Sequence, residues 1–169
     1  MSSSDPSYGR RAVLALLAPA LLVACGFAPV YGTGGPAREL LNRVRIEDPT
    51  DKNSFDLVER LEERLGRPQN VAFRLSYGIT TRSRGLGITP DNSTTRYNID
   101  AVATYLLSDA ETGTPLAQGD VTTFVSYSAS GSTVATDAAE EDAYERLMRL
   151  LADQIVNELI ASSAGWNVP

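Results

Sequence analysis

The clearest pattern in the chain is a run of apolar residues at odd positions: Val71, Phe73, Leu75, Tyr77 and Ile79. A period of two puts them on one face of a β-strand. The same alternation recurs twice. Tyr97, Ile99, Ala101, Ala103 and Tyr105 predict a strand from near Thr95 to Ser108. Val121, Thr123, Val125 and Tyr127 predict another from near Leu116 to Ser128. Between these two, Asp109 to Pro115 carries Thr112-Gly113-Thr114-Pro115 and reads as a hairpin turn. Earlier, Val44 and Ile46 alternate with Arg43 and Arg45 in a short strand within Leu41 to Glu47, with one face in solvent.

Two segments change period. Val58, Leu61 and Leu65 form a helical stripe, capped by Asn53 or Ser54 and running from about Phe55 to Leu65, with Gly66 and Pro68 ending it. Ala143, Leu147, Leu151, Ile155 and Leu159 recur every four residues, widened by Leu150 and Ile160. Asp137 with Glu140 resembles a capping box for that helix, which ends near Ser162. Glu140-Glu141-Asp142 then complements the positive end of its dipole. Arg82 to Thr94, with Gly85, Gly87, Pro90, Asp91 and Asn92, reads as a long turn, and Ser128 to Thr133 as a loop of small residues. The order β-α-β-β-β-α predicts an α+β fold: a two-layer sandwich in which a four-stranded, mostly antiparallel sheet carries two helices on one face.

The N-terminus follows a different logic. Arg10 and Arg11 precede Ala12 to Ala24, which holds no charge. That stretch is short of the roughly 20 apolar residues a spanning helix needs, and fits the apolar core of a secretory signal. It ends in Leu22-Val23-Ala24-Cys25, which resembles a bacterial lipobox. The resemblance implies a chain cut before Cys25, with a diacylglyceryl group in thioether linkage to its sulfur and a third acyl chain on the new amino terminus; two or three acyl chains hold a protein on a membrane far better than one. Paired arginines suit a general secretory signal and a twin-arginine signal alike. The chain thus divides into a signal peptide (1–24), an acylated tether rich in Gly and Pro (25–37) and a single α+β domain (38–169). Gly26 after the cysteine is compatible with passage to the outer membrane.

Composition narrows the chemistry. Of 169 residues, none is histidine and one is cysteine, Cys25. A Ser-His-Asp or Cys-His centre, a zinc site built on His and Cys, and an internal disulfide are all excluded. Carboxylate-only hydrolysis or an oxygen-ligand metal site survives these counts, with no motif favouring it, and no metal or other cofactor is expected. The net charge of −6 argues against a general nucleic-acid binder.

Three segments carry a family resemblance. Cys25-Gly26-Phe27 with Pro29 and Tyr31-Gly32 is similar to the mature start of the LptE lipopolysaccharide-assembly lipoproteins. Tyr105-Leu106-Leu107-Ser108-Asp109 through Thr112-Gly113 resembles their aromatic-to-turn segment. Tyr127, Ala135, Ala143, Leu151-Ala152, Ile155 and Leu159 resemble their final strand and C-terminal helix. The resemblance implies a non-enzymatic, lipid-anchored protein on the periplasmic side of the outer membrane. It would plug and help assemble an LptD-type β-barrel, aid insertion of lipopolysaccharide into the outer leaflet, and possess direct affinity for lipopolysaccharide. The alternative is a periplasm-facing lipoprotein that binds a small ligand or the cell wall and has no barrel partner.

Charge is unevenly placed. Residues 67–96 hold Arg67, Arg74, Arg82, Arg84 and Arg96 against Asp91, whereas beyond residue 96 acids dominate. Arg82 and Arg84 are two apart and share a face if the strand extends that far, and Arg96, just after the turn, would approach them across the hairpin. Guanidinium forks suit phosphate oxygens, and lipid A carries phosphates. Arg82, Arg84 and Arg96 are therefore candidate contacts for lipopolysaccharide or for acidic groups in a barrel lumen, with simple solvation of a loop as the third reading. Tyr97, Tyr105 and Tyr127 fall on regular strand faces and are expected in the core.

Replacing Cys25 with Ala should move the protein from the membrane pellet to the soluble fraction on cell fractionation. A wild-type chain that takes up no labelled palmitate would refute acylation as the anchor, whereas a Cys25→Ala chain kept in the pellet would show a hold by shape as well as by lipid.

Overall fold

The computed structural model describes residues 37–88, 94–129, 132–163 and 166. Cys25, nearly all of the tether and residues 89–93 of the expected turn lie outside them. The elements run α1 (Ala37–Leu40), β1 (Val44–Ile46), α2 (Lys52–Leu65), β2 (Phe73–Ile88), β3 (Thr94–Asp109), β4 (Pro115–Ser128) and α3 (Thr133–Ser163). The sheet order is β1-β2-β3-β4. β1 lies parallel to β2, and the other two pairs are antiparallel. A parallel neighbour needs a crossover, and α2 supplies it. The predicted α+β two-layer architecture is present, preceded by the single turn of α1, which carries no periodicity of its own.

The predicted strand faces are the buried ones. Phe73, Leu75, Ile99, Ala101, Ala103, Leu107 and Val121 point into the layer under the helices. Leu57, Leu61 and Leu65 of α2 and Leu147, Leu151, Ile155 and Leu159 of α3 close it from above. Helix α3 packs along α2, β4 and β3. Leu150 departs from expectation: it is 43% exposed, while Met148 is fully buried. The apolar stripe of α3 leans to the side of Met148 because α2 lies along that flank as well as the sheet.

Helix starts lie upstream of the predicted caps. For α2 the cap is Asp51, not Asn53 or Ser54. Asp51 Oδ1 accepts from the Ser54 backbone N–H at 2.7 Å, and Ser54 Oγ accepts from the Asp51 N–H at 2.8 Å. A serine thus takes the place that Glu or Gln holds in the usual capping box. Helix α3 begins four residues before Asp137; Ser132 Oγ accepts from the Ala135 N–H at 3.3 Å.

The largest difference is β2. Its pairing with β3 continues through Arg82, Ser83, Arg84 and Gly85 to Ile88, so half of the expected turn is strand. The glycines there serve a β-bulge: the register shifts between Gly85 and Gly87 and again before Ile88. Sixteen residues of strand make a hairpin about 50 Å long.

Polar contacts tie the two helices to each other and the sheet to α3. Arg60 grips Asp153 with Nε and Nη2, each at 3.1 Å, and Arg64 Nη1 reaches the same carboxylate at 2.6 Å. Tyr105 Oη donates to Glu158 Oε2 of α3 at 2.5 Å. Gly119, the register partner of Tyr105 on β4, makes that reach possible, since a Cβ there would lie 2.8 Å from the Tyr105 oxygen. At the end of α2, Gly66 has φ +77°, and its N–H donates to the Glu62 carbonyl at 2.8 Å.

A Cβ on Gly66 would also collide with Asn42 Oδ1, whereas Gly113, at φ +71°, has open space around it. Gly66→Ala should therefore cost about 1–3 kcal/mol in chemical denaturation, and Gly113→Ala distinctly less. Equal losses would show that the Asn42 contact contributes nothing.

Candidate functional site

With both long helices on one side, no described residue covers the other face of the sheet. Its outward positions are the even residues of β2, β3 and β4, and the candidate arginines are among them. Arg82 is in register with Asp100 and, across β3, with Phe124. Arg84 is in register with Asn98 and Ser126, and Arg96 with Gly87 and Ser128. Arg82 and Arg84 do share a face, as their spacing implies, and Arg96 lies diagonally beyond them towards the hairpin tip.

Their surroundings differ. Arg84 forms an ion pair with Asp100. Asp100 also accepts from Asn98 Nδ2 at 2.8 Å, and Ser126 Oγ donates to Asn98 Oδ1 at 2.9 Å. This network crosses three strands and fixes Arg84 over the sheet. Asn98 is 8% exposed, and its amide is satisfied on both sides, as a buried polar group must be. Arg82 and Arg96 have no ion pair among the described residues. Arg82 therefore keeps a guanidinium outside any ion pair in the row that holds Asp100 on β3 and, on β4, the 64% exposed Phe124.

Arg96 belongs to a different concavity. With Ser126, Tyr127 and Ser128 of β4 and Ala139, Asp142 and Arg146 of α3, it lines a groove of about 410 Å³ at the β4 edge. Asp142 is engaged there by Arg146 at 3.0 Å. Tyr127 stacks on its register partner Tyr97, with ring centroids 5.3 Å apart and planes 14° apart. The structure thus places Arg82 and Arg84 in successive rows of one sheet face and sets Arg96 apart. Asp100 and Asn98 escaped the sequence reading, although both are polar residues at the outward positions flanking buried Ile99.

The rest of the open face is mostly hydroxyl-bearing: Ser76, Thr80, Thr104, Thr122 and Ser126, interrupted by half-exposed Val102 and Leu106. Among the described residues, no three His, Cys, Asp or Glu side chains converge as metal ligands. No helix among them is long and apolar enough to cross a membrane. The arrangement offers hydrogen bonding, two accessible guanidinium groups and small apolar patches, which is the equipment of a binding face.

The family comparison gives this face a context. Residues 41–159 match the model of the LptE lipopolysaccharide-assembly family. The chain belongs to that family. Of the three segments whose sequence resembles LptE, the two over β3, β4 and α3 lie within the matched span, which covers every strand, and the one from Cys25 to Gly32 precedes it. Solved structures share the fold. A candidate lipoprotein of Caulobacter crescentus CB15 superposes with a TM-score of 0.65 at 21% identity, covering 77% of this chain and 97% of that one. Rare lipoprotein B of Shewanella oneidensis gives 0.56 at 12% identity, covering 73% and 96%. Lipoprotein B of Nitrosomonas europaea gives 0.56 at 16% identity, covering 72% and 84%. No curated protein matches the chain in sequence. The LptE assignment makes the chain a component of lipopolysaccharide assembly.

Tyr127 supplies a pH test of the tip. Burial, and then the Glu140 carboxylate, push its phenol up to about 12. A raised phenol favours the protonated form in the fold, so its stabilisation is complete below the unfolded value near 10 and is lost as pH rises through about 12. Tm should fall between about pH 10 and 12, and Tyr127→Phe should flatten part of that fall. Tyr105 is raised too, by burial and then Glu158, so a residual slope remains in the variant. An unchanged slope in Tyr127→Phe would show that the tyrosine does not titrate with unfolding.

Proposed function

We propose that the chain is an outer-membrane lipoprotein, anchored through lipid on Cys25, that sits as a plug in the lumen of an LptD-type β-barrel. In that place it helps the barrel assemble and aids insertion of lipopolysaccharide into the outer leaflet, without catalysing a reaction. LptE membership carries this reading, and the shape of the domain supports it. Outer-membrane barrels have a polar interior behind an apolar band about 25 Å tall. A hairpin of about 50 Å is long enough to run through such a lumen and reach past the band. Its open face, rich in Ser and Thr with an Asn-Asp-Arg network, suits a polar wall better than a lipid one.

The arginines divide the work on this reading. Arg82 offers a free guanidinium fork near the far end of the hairpin, suited to a lipid A phosphate or an acidic lumen residue. Arg84, held by Asp100, keeps part of its donor set for a second contact. Arg96 addresses the β4 edge.

The test has two arms. Gentle detergent extraction of outer membranes should yield this chain with a large barrel protein in equal amounts; the chain purified alone would overturn the plug. The double substitution Arg82→Ala, Arg84→Ala should weaken binding of purified lipopolysaccharide by about tenfold with an unchanged melting curve. Unchanged affinity would assign the pair to the barrel wall or to solvent.

A further inference from the structure

The end of the open face remote from the hairpin tip carries a second, separate charge arrangement. Arg45 of β1 and Arg74 of β2 are register partners across the parallel pair. Both are exposed, and neither forms an ion pair among the described residues. Like charges set directly opposite each other destabilise a strand pair. One row further along the same face stand Glu47 and Ser76. The Glu47 N–H donates to the Leu75 carbonyl at 2.9 Å, which carries the ladder one residue past β1. Asp48 follows, and it too forms no ion pair among the described residues, as does Glu47.

These side chains line one open groove of about 360 Å³, together with Ser108 of β3. Its charges are sorted: two guanidinium groups at one end and two carboxylates roughly 7 Å along the strands. Four unpaired charges so close to one another call for a ligand that carries both signs. A lone phosphate would meet the carboxylates, and a lone amine would meet the arginines. A monocarboxylate amino acid would leave one guanidinium uncompensated. A phosphate dianion joined by a short spacer to an ammonium neutralises both guanidinium groups and one of the two carboxylates, one charge more in all than the amino acid does.

We propose that this groove binds a phosphoethanolamine group. The phosphate lies between Arg45 and Arg74, whose planar donors suit its oxygens. The Ser76 and Ser108 hydroxyls beside it donate to the Leu106 and Arg74 carbonyls at 3.4 and 3.5 Å, and turning from these long contacts gives the phosphate two further donors. The ammonium, a compact point charge, faces Glu47 and Asp48. The group occurs free in solution as a phosphate monoester and in a phospholipid headgroup as a phosphodiester of single negative charge, which matches one of the two guanidinium groups. The site stands at the opposite end of the sheet from Arg82, so its failure would leave the plug reading untouched.

The experiment uses the full chain, isotope-labelled, in nonionic detergent, with backbone amide shifts as the readout. O-phosphoethanolamine should produce saturable shifts at Arg45, Glu47, Arg74 and Ser76, and inorganic phosphate should bind at least about fivefold more weakly. Glu47→Gln should lower the affinity for phosphoethanolamine while leaving that for phosphate unchanged or improved. The double variant Arg45→Gln, Arg74→Gln should lose both ligands while melting at or above the wild-type temperature, since the opposed like charges are gone. No saturable shift at millimolar ligand, shifts centred elsewhere, or equal affinity for the two ligands in both wild type and Glu47→Gln would overturn the proposal. Vesicles of phosphatidylethanolamine in phosphatidylcholine then identify the source. Shifts that need phosphatidylethanolamine support a lipid headgroup, and shifts with the free compound alone support a soluble ligand.

Discussion

Helix α3 is the lid on which this domain depends. Strands β3 and β4 have one buried face each, and α3 covers most of it. A 31-residue helix is about 46 Å long, close to the length of the hairpin it lies against. The match lets apolar strand positions find apolar helix positions along nearly the whole sheet. Slippage of that helix is opposed at separate points: Asp153 is gripped by two arginines of α2, and Glu158 is held by the Tyr105 hydroxyl. The half-buried Asp153 cluster contributes modestly, as partly solvated ion pairs do, but it fixes the angle between the two helices. Gly119 belongs to the same device, because the tyrosine passes over it to reach the helix.

Covering one face leaves the other free to be specialised. Among the described residues the open face has no helix or further sheet on it, so its residues answer to solvent and to ligands rather than to packing. Charges there are separated by strand length: one arginine set near the hairpin tip and another beside β1. The first is partly neutralised by Asp100, through a network that crosses three strands. The second is balanced by acids that do not touch it. The two arrangements call for different partners, and one rigid sheet holds both.

Much of the architecture was legible as periodicity. The odd positions from Phe73 to Leu75 and from Ile99 to Leu107 announce a buried face because every second side chain must leave water. The four-residue spacing from Ala143 to Leu159 does the same for a helix. What escaped has physical reasons. Arg82 to Ile88 looks like a turn because Gly and Arg lack β preference, yet β3 offers a partner in register, and pairing overrides propensity. Asp51 was passed over as a cap because its reciprocal partner is a serine. Leu150 is as apolar as its buried neighbours, and only the position of α2 tells them apart. Asn98 and Asp100 sit at outward positions, where alternation demands only polarity and leaves the choice of partner open. Of the candidate arginines, the pairing of Arg82 with Arg84 on one face followed from spacing, whereas the ion pair that restrains Arg84 depended on an unforeseen residue of the neighbouring strand.

The shortness of β1 carries a consequence for the chain outside its native assembly. β1 covers β2 only at Phe73, Arg74 and Leu75, so from Ser76 onward that side of β2 has no strand beside it among the described residues. An unpaired strand margin of this length is a template on which another polypeptide can crystallise its own backbone. Two features blunt it: the cationic pair Arg82 and Arg84, which repels a like copy, and the bulge at Gly85 and Gly87, which breaks the regular spacing of donors and acceptors. The same glycines and arginines that made this stretch resemble a turn act as its guard against self-association.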